Sequence, residues 1–197
     1  MCTTTVLQTR NLKSRTRLEV RLLPRDISTE RLLLRIPVPE DAQRIFNSYA
    51  QDPKVARYLT WKPSKTLEDS KRHIQDRILA WRRGNICAWS IIHAEHDLLI
   101  GMIELRIKGA VANVGYVLAR AGWGKGYATE ALSAVICVGL ALPEIHKVTG
   151  LCDVENMAST RVMEKAGMVR EGVLRRYIVH PNISHEPRDV YSFAITK

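Results

Sequence analysis

Between Gly122 and Ala131 the chain reads GWGKGYATEA, and this stretch restricts the fold more than any other. Three glycines fall within five positions, at 122, 124 and 126, in a sequence of 197 residues that contains 11. Good helix formers follow at once. The segment just before, NVGYVL at 113–118, has the β-branched and aromatic content of a strand. Strand, glycine turn and helix therefore succeed one another directly. A helix N-terminus carries unpaired N–H groups and a partial positive charge. Glycines ahead of it let an anion lie against the backbone. The expectation is a phosphate cradle; a turn serving only close helix packing is the alternative. Two familiar phosphate loops do not fit. A P-loop needs Ser or Thr after GxxxxGK, and here Tyr127 follows Gly126. The dinucleotide fingerprint needs GxGxxG on a first βα turn, whereas this GxGxG comes late in the chain.

The remaining pattern is read around that turn. RLLLRIPV (31–38) is a strand stopped by its prolines, and PEDAQRIFNSYA opens a helix with acids in its first turn. Thr66 is a plausible N-cap for a helix whose Leu67, Ile74, Ile78 and Trp81 share one face, and RRGN stops it at Gly84. CAWSII (87–92) and LLIGMIELRI (98–107), joined by HAEHD, form an antiparallel hairpin. After the glycine turn comes a helix in which Ala128, Leu132, Val135 and Ile136 recur at helical spacing, ended by Pro143. HKVTGLCDV (146–154) is a strand, NMASTRVMEKAGM (156–168) a helix closed by Gly167, and two strands finish the chain. This order predicts an α+β fold in α/β/α layers, a mixed, mostly antiparallel sheet of about six to seven strands flanked by about four helices. Residues 1–28 are a basic extension, and 29–197 one domain.

Charge narrows the partners. The net charge is +10, which favours anionic ones. Residues 1–35 hold Arg10, Lys13, Arg15, Arg17, Arg21, Arg25, Arg31 and Arg35 against Glu19, Asp26 and Glu30. This is a solvated basic tail or, more sharply, a docking arm for RNA or another polyanion. No aromatic residue interleaves those charges, which weakens base stacking. The longest apolar run, 131–142, is too short to span a membrane, and the N-terminus lacks a signal-peptide pattern. The four cysteines (Cys2, Cys87, Cys137, Cys152) are scattered, which points to reduced thiols in a cytoplasmic protein and to no metal. His93 and His96 bracket the hairpin turn, where a solvated turn is favoured over an ion site.

GYVLARAGWGKGYATEAL resembles the acetyl-CoA signature of the GNAT N-acetyltransferases, most closely their ribosomal-protein (RimJ/RimL-type) branch. TERLLLR (29–35) is similar to that branch's opening strand, and NMASTRVMEKAGMVREGVLR (156–175) to a third block. The resemblance covers about residues 28–197. It implies a GNAT-like fold and an enzyme that moves an acetyl group from acetyl-CoA to a primary amine without a metal. The acceptor would be a ribosomal or other protein N-terminus, or a small amine, and the enzyme a monomer or homodimer. The pyrophosphate would lie on backbone N–H groups from Gly124 to Thr129 (Gly124, Lys125, Gly126, Tyr127, Ala128, Thr129), with Trp123 where the wider family has Gln or Arg. The pantetheine arm would pair with Tyr116, Val117 and Leu118 like an added strand, and Asn156 would touch it from its side chain.

The chemistry then needs an amine without its proton, a donor for the thioester oxygen and a proton for the departing thiolate. The resemblance makes Ser159 the candidate acid; a helix-end serine that merely satisfies backbone groups is the plainer alternative. Glu104 is the candidate base, working through water, or else a charged residue on a solvated face. The late-helix tyrosine used elsewhere in the family is replaced by Met163, and a glutamate of some ribosomal-protein enzymes by Ile178. Glu130, in the first turns after the glycines, reads as structural. PNISHEP (181–187) would be a loop on the acceptor side. A non-catalytic acyl-CoA-binding or RNA-associated module is the alternative function.

Overall fold

The computed structural model describes residues 23–84 and 86–197. Its centre is one sheet of eight strands: β1 (Asp26–Ser28), β2 (Leu32–Arg35), β3 (Ile86–His93), β4 (Leu98–Lys108), β5 (Val111–Leu118), β6 (Lys147–Asp153), β7 (Val169–Ile178) and β8 (Arg188–Thr196). They run in the order β1-β2-β3-β4-β5-β6-β8-β7. Five helices flank it: α1 (Asp41–Ile45), α2 (Pro53–Ala56), α3 (Leu67–Arg83), α4 (Tyr127–Ala141) and α5 (Met157–Lys165). The layered α+β architecture is as expected, with a slightly higher strand count. The additional strand, DIS at 26–28, is too short to carry an alternating pattern. The additional helix, α2, starts at a proline that reads equally well as a turn.

Local signals act where they were expected. Thr66 caps α3 in a reciprocal box with Asp69, and Gly84 ends the helix at φ 73°. The predicted helix after Pro39 is less regular: α1 gives way to a wider π turn over Phe46–Ala50. The first strand is shorter than read, ending at Arg35. Leu23 is buried in the core and Asp26–Ser28 pair with β2, so residues 26–28 contribute to the sheet. Of the basic residues counted toward a polyanion-binding arm, Arg10, Lys13, Arg15, Arg17 and Arg21 lie outside the described residues. No described helix is long and apolar enough to cross a membrane.

Each face of the sheet has its own core. On one, Leu132, Val135 and Ile136 of α4 and Met163 of α5 pack on Ile103, Leu105, Val114 and Val148. On the other, Ile45 of α1, Tyr49 and Ile74 of α3 pack on Ala88, Ile92 and Met102. All neighbours are antiparallel except β5 and β6, which run parallel and need the α4 crossover. Their pairing spans only Val111–Val114 against Lys147–Gly150. Beyond it β5 stays with β4 as far as Leu118, and β6 stays with β8 as far as Asp153. The sheet therefore splits, and that split positions the site.

Candidate active site

The glycine turn leaves the start of α4 bare. Gly124 and Gly126 have φ of 73° and 82°, conformations that cost an L side chain about 1–2 kcal/mol. Gly126 is the N-cap and supplies no side-chain cap. The first helical bond runs from Glu130 N–H to the Gly126 carbonyl (3.0 Å), so the N–H groups of Tyr127, Ala128 and Thr129 find no partner within the helix. A side chain on Gly124 would project into open space, and one on Gly126 toward the Arg31 guanidinium. Lys125 is exposed at the rim.

Arg31 fastens this turn. Its guanidinium donates to the Lys125 carbonyl (3.0 Å), covers the Tyr127 ring at 4.7 Å and pairs with Glu130 at 2.6 Å. Glu130 also accepts from the Thr29 hydroxyl (2.6 Å) and the Arg31 N–H (2.9 Å). Burial works to raise the Glu130 carboxyl, but these bonds hold it below the ordinary range. Glu130 thus ties the β1–β2 turn to the cradle, the structural part expected of it. Trp123 lies half-exposed, its indole N–H donating to the Leu118 carbonyl at 2.9 Å. On the outer side of Tyr127, its hydroxyl meets His93 Nε2 at 3.0 Å, and His93 stacks on His96.

The split between β5 and β6 offers backbone groups of defined direction. Ala119 N–H donates to the Ile100 carbonyl at 2.8 Å, which makes Gly101–Leu118 a non-hydrogen-bonded pair. The amides of Tyr116 and Leu118 therefore point away from β4, into the split, while that of Val117 points to β4. Above them the Tyr116 hydroxyl and Ser159 Oγ stand 2.7 Å apart. Burial pushes the Tyr116 hydroxyl well above its ordinary value, so it keeps its proton. Asn156 caps α5 by accepting from Ser159 N–H at 3.2 Å, which leaves its amide N–H₂ group to donate elsewhere. Cys152 sits beside this pair, its Sγ 3.6 Å from Thr160 Oγ1, and burial raises its thiol.

A cavity of about 1450 Å³ runs from the cradle through the split to the other face of the sheet. Glu104 faces it from β4, opposite Gly115. Arg77 of α3 binds one Glu104 oxygen at 2.7 Å, and Arg106 binds the other. His73 also lines the cavity, and burial together with Arg77 lowers its imidazole to about 4, so it is neutral at pH 7. Across the split, Asp153 is buried against Arg188 (2.6 Å), with His180 Nε2 at 3.6 Å. The PNISHEP loop closes this side: the Asn182 amide donates to the carbonyls of Ala56 and Trp61, both at 2.7 Å.

The fold thus brings together Tyr116, Leu118, Trp123, the 124–129 turn, Asn156 and Ser159 around one split, with Glu104 on the far side of the sheet. Met163 is buried in the core, and Ile178 lines the cavity. The sequence reading used only the backbone of Tyr116; the GY pair before the turn was the available signal for its hydroxyl. Arg77, Asp153 and His180 had no such signal, since their partners lie far away in the chain, and Arg106, two residues from Glu104, reads as an ordinary strand cation.

Comparison with known proteins gives this arrangement a family. A model described as an acetyltransferase (GNAT) domain matches residues 31–169. The chain is 32% identical to YnaD of Bacillus subtilis (strain 168), described as an uncharacterized N-acetyltransferase, over 86% of this chain and 95% of that protein. A GNAT-family acetyltransferase structure from Bacillus anthracis superposes with a TM-score of 0.76 at 29% identity, covering 87% and 98% of the two chains. A RimL structure, described as a ribosomal L7/L12 alpha-N-protein acetyltransferase in complex with coenzyme A, gives 0.76 at 21% identity, covering 87% and 97%. The chain belongs to the GNAT acetyltransferase family and is an acyl-CoA-dependent N-acetyltransferase.

Proposed function

We propose that this enzyme acetylates the α-amine of a protein N-terminus, with acetyl-CoA as donor. The observation that carries the donor half is the split between β5 and β6, with an uncapped helix start at one end and the Tyr116–Ser159 hydroxyl pair along it. The pyrophosphate would rest on N–H groups from Gly124 to Thr129, with Lys125 adding charge at the rim and the Trp123 indole bracing the turn. The pantetheine arm would lie along Tyr116–Leu118, using the two amides that face the split, and would receive the Asn156 N–H₂ group.

A backbone N–H of this strand segment supplies the donor to the charge that develops on the thioester oxygen. The thiolate leaves beside Ser159 Oγ. Tyr116 stays protonated, so the hydroxyl pair can pass a proton to the sulfur. The resemblance of the fold to a RimL enzyme supports a protein N-terminus as acceptor. Chemistry supports it too. An α-amine titrates at about 7.7–8.0, so an appreciable fraction is already free near neutral pH, whereas a lysine at about 10.4 needs a strong base. Glu104 has both oxygens engaged by guanidinium groups, which suits it to positioning Arg77 and Arg106 more than to accepting a proton.

Thiol release from acetyl-CoA across a panel of peptides and small amines, with mass spectrometry of the products, tests this reading. Acetylated N-termini are the expected product. Acetylation confined to lysine side chains or to small amines would overturn the acceptor assignment.

A further inference from the structure

We propose that the acceptor must carry negative charge next to its amine, as an N-terminal peptide does when acidic residues follow the first position. This rests on the N-terminal reading above and names the substrate class within it. The acceptor half of the cavity is lined by Lys54, Arg57, Lys62, Lys65, Arg77 and Arg106, against the carboxylates of Asp69, Glu104 and Asp153. All three carboxylates are already committed, Asp153 to Arg188. Glu104 lies between Arg77 and Arg106. Asp69 closes the α3 capping box and pairs with Arg72. No ion pair among the described residues involves Lys54, Arg57, Lys62 or Lys65. His73 is neutral and offsets nothing. The Arg77 Nε is buried without a hydrogen-bond partner.

Lys54 comes soon after Asp52, which pairs with Arg120 just ahead of the cradle, but Arg57, Lys62, Lys65 and Arg106 are not the donor's phosphate site. Arg106 stands opposite Asn113, five residues before Leu118, after which the cradle begins. At about 3.3 Å per residue that is roughly 16 Å of strand. Arg57, Lys62 and Lys65 lie on the connection between α2 and α3, on the opposite face of the sheet from α4. An ammonium group entering this half of the cavity meets a positive field. Only an acceptor that brings its own anions has that repulsion offset. An extended peptide advances about 3.3 Å per residue, so carboxylates at positions two to four would pass the wall that runs from Arg57 to Lys65.

The test uses the whole chain and C-terminally amidated hexapeptides that differ at positions two to four: Asp and Glu, their isosteres Asn and Gln, or Lys. The expected result is kcat/KM for the acidic series at least about tenfold above the amide series, with the Lys series lower still. The gap should shrink at high ionic strength. A triple charge reversal, Arg57→Glu, Lys62→Glu and Lys65→Glu, should flatten or invert the order, with melting temperature and acetyl-CoA affinity read alongside; should it fail to fold, the peptide series alone decides. Equal rates across the series would sink the charge requirement and leave N-terminal acetylation standing. Turnover of aspartate or phosphoethanolamine with none of any peptide would overturn the N-terminal reading while keeping the anion preference. Peptide turnover that favours the Lys series would overturn the inference outright.

Discussion

Tyr116 and Ser159 are 43 positions apart, yet their hydroxyls share one hydrogen bond at the split in the sheet. If that pair returns a proton to the thiolate, Ser159→Ala should lower kcat by about 10²-fold or more with acetyl-CoA affinity little changed. Tyr116→Phe should follow it in direction. Steady-state kinetics beside a direct binding measurement separate the two effects, and an unaltered kcat would remove the hydroxyl from the mechanism. Gly126→Val acts on binding instead. At φ 82° the strain alone is about 1–2 kcal/mol, and the new side chain points toward Arg31 beside the cradle. An acetyl-CoA dissociation constant raised at least about tenfold in a folded variant is expected. Asp41 shows a purely structural residue. It is fully buried and accepts from Arg35 (2.7 and 2.8 Å) and Ser90 (2.7 Å). Asp41→Asn strands a guanidinium and should cost about 3–5 kcal/mol in denaturant unfolding. In the sequence Asp41 is only one of the acids in a helix's first turn.

At the scale of elements, the start of α4 depends on a neighbour that is remote in sequence. Arg31, at the start of the second strand, reaches the Lys125 carbonyl and Glu130 and covers Tyr127. Arg31→Ala should therefore loosen the turn. The expected result is an acetyl-CoA KM raised several-fold with kcat at saturation close to the parent, and a rise in acceptor KM alone would contradict that role. The capping box of α3 is different in kind. Thr66 and Asp69 are three residues apart and recognisable as letters. So was the glycine stop at 84. Such signals are legible because both partners lie within one helical turn. The π turn at Phe46–Ala50 was not legible, because packing against α3 and β4, rather than propensity, shapes it; the four-residue α2 has an Asp52 cap and Pro53 at its start but is too short to show a period.

The whole molecule should answer to acid in two stages. His73 has a folded value of about 4 against about 6.5 unfolded, because burial and Arg77 disfavour its charge. A depressed value means the unfolded chain takes the proton first. The His73 contribution is therefore complete above pH 6.5 and is lost as pH falls from there toward 4. Asp41, Glu130 and Asp153 are also held below the ordinary carboxylate range: burial pushes each upward, and the bonds from Arg35, from Thr29 and Arg31, and from Arg188 prevail. Their contribution is lost below about pH 4. His180 is also held below its ordinary value, chiefly by burial, and adds to the first stage. A melting-temperature profile should decline gently from pH 6.5 and steeply below 4, and His73→Gln should make the first part shallower without changing the second.

Taken alone, the amino-acid sequence determined the donor side: a strand, a glycine turn bare of side chains and a helix start, all within about fifteen consecutive residues. It also determined the element order and hence a layered α+β fold. Those features depend on spacings of two, three and four, which a linear chain displays directly. Tertiary structure alone decided where β5 and β6 part, that Tyr116 meets Ser159, and that Glu104 is claimed by Arg77 and Arg106. These relations join residues from two to more than forty positions apart, and they exist only because two cores press the sheet from opposite faces. The acceptor side belongs to that second class, since its charge is a sum over groups from separate helices, strands and loops.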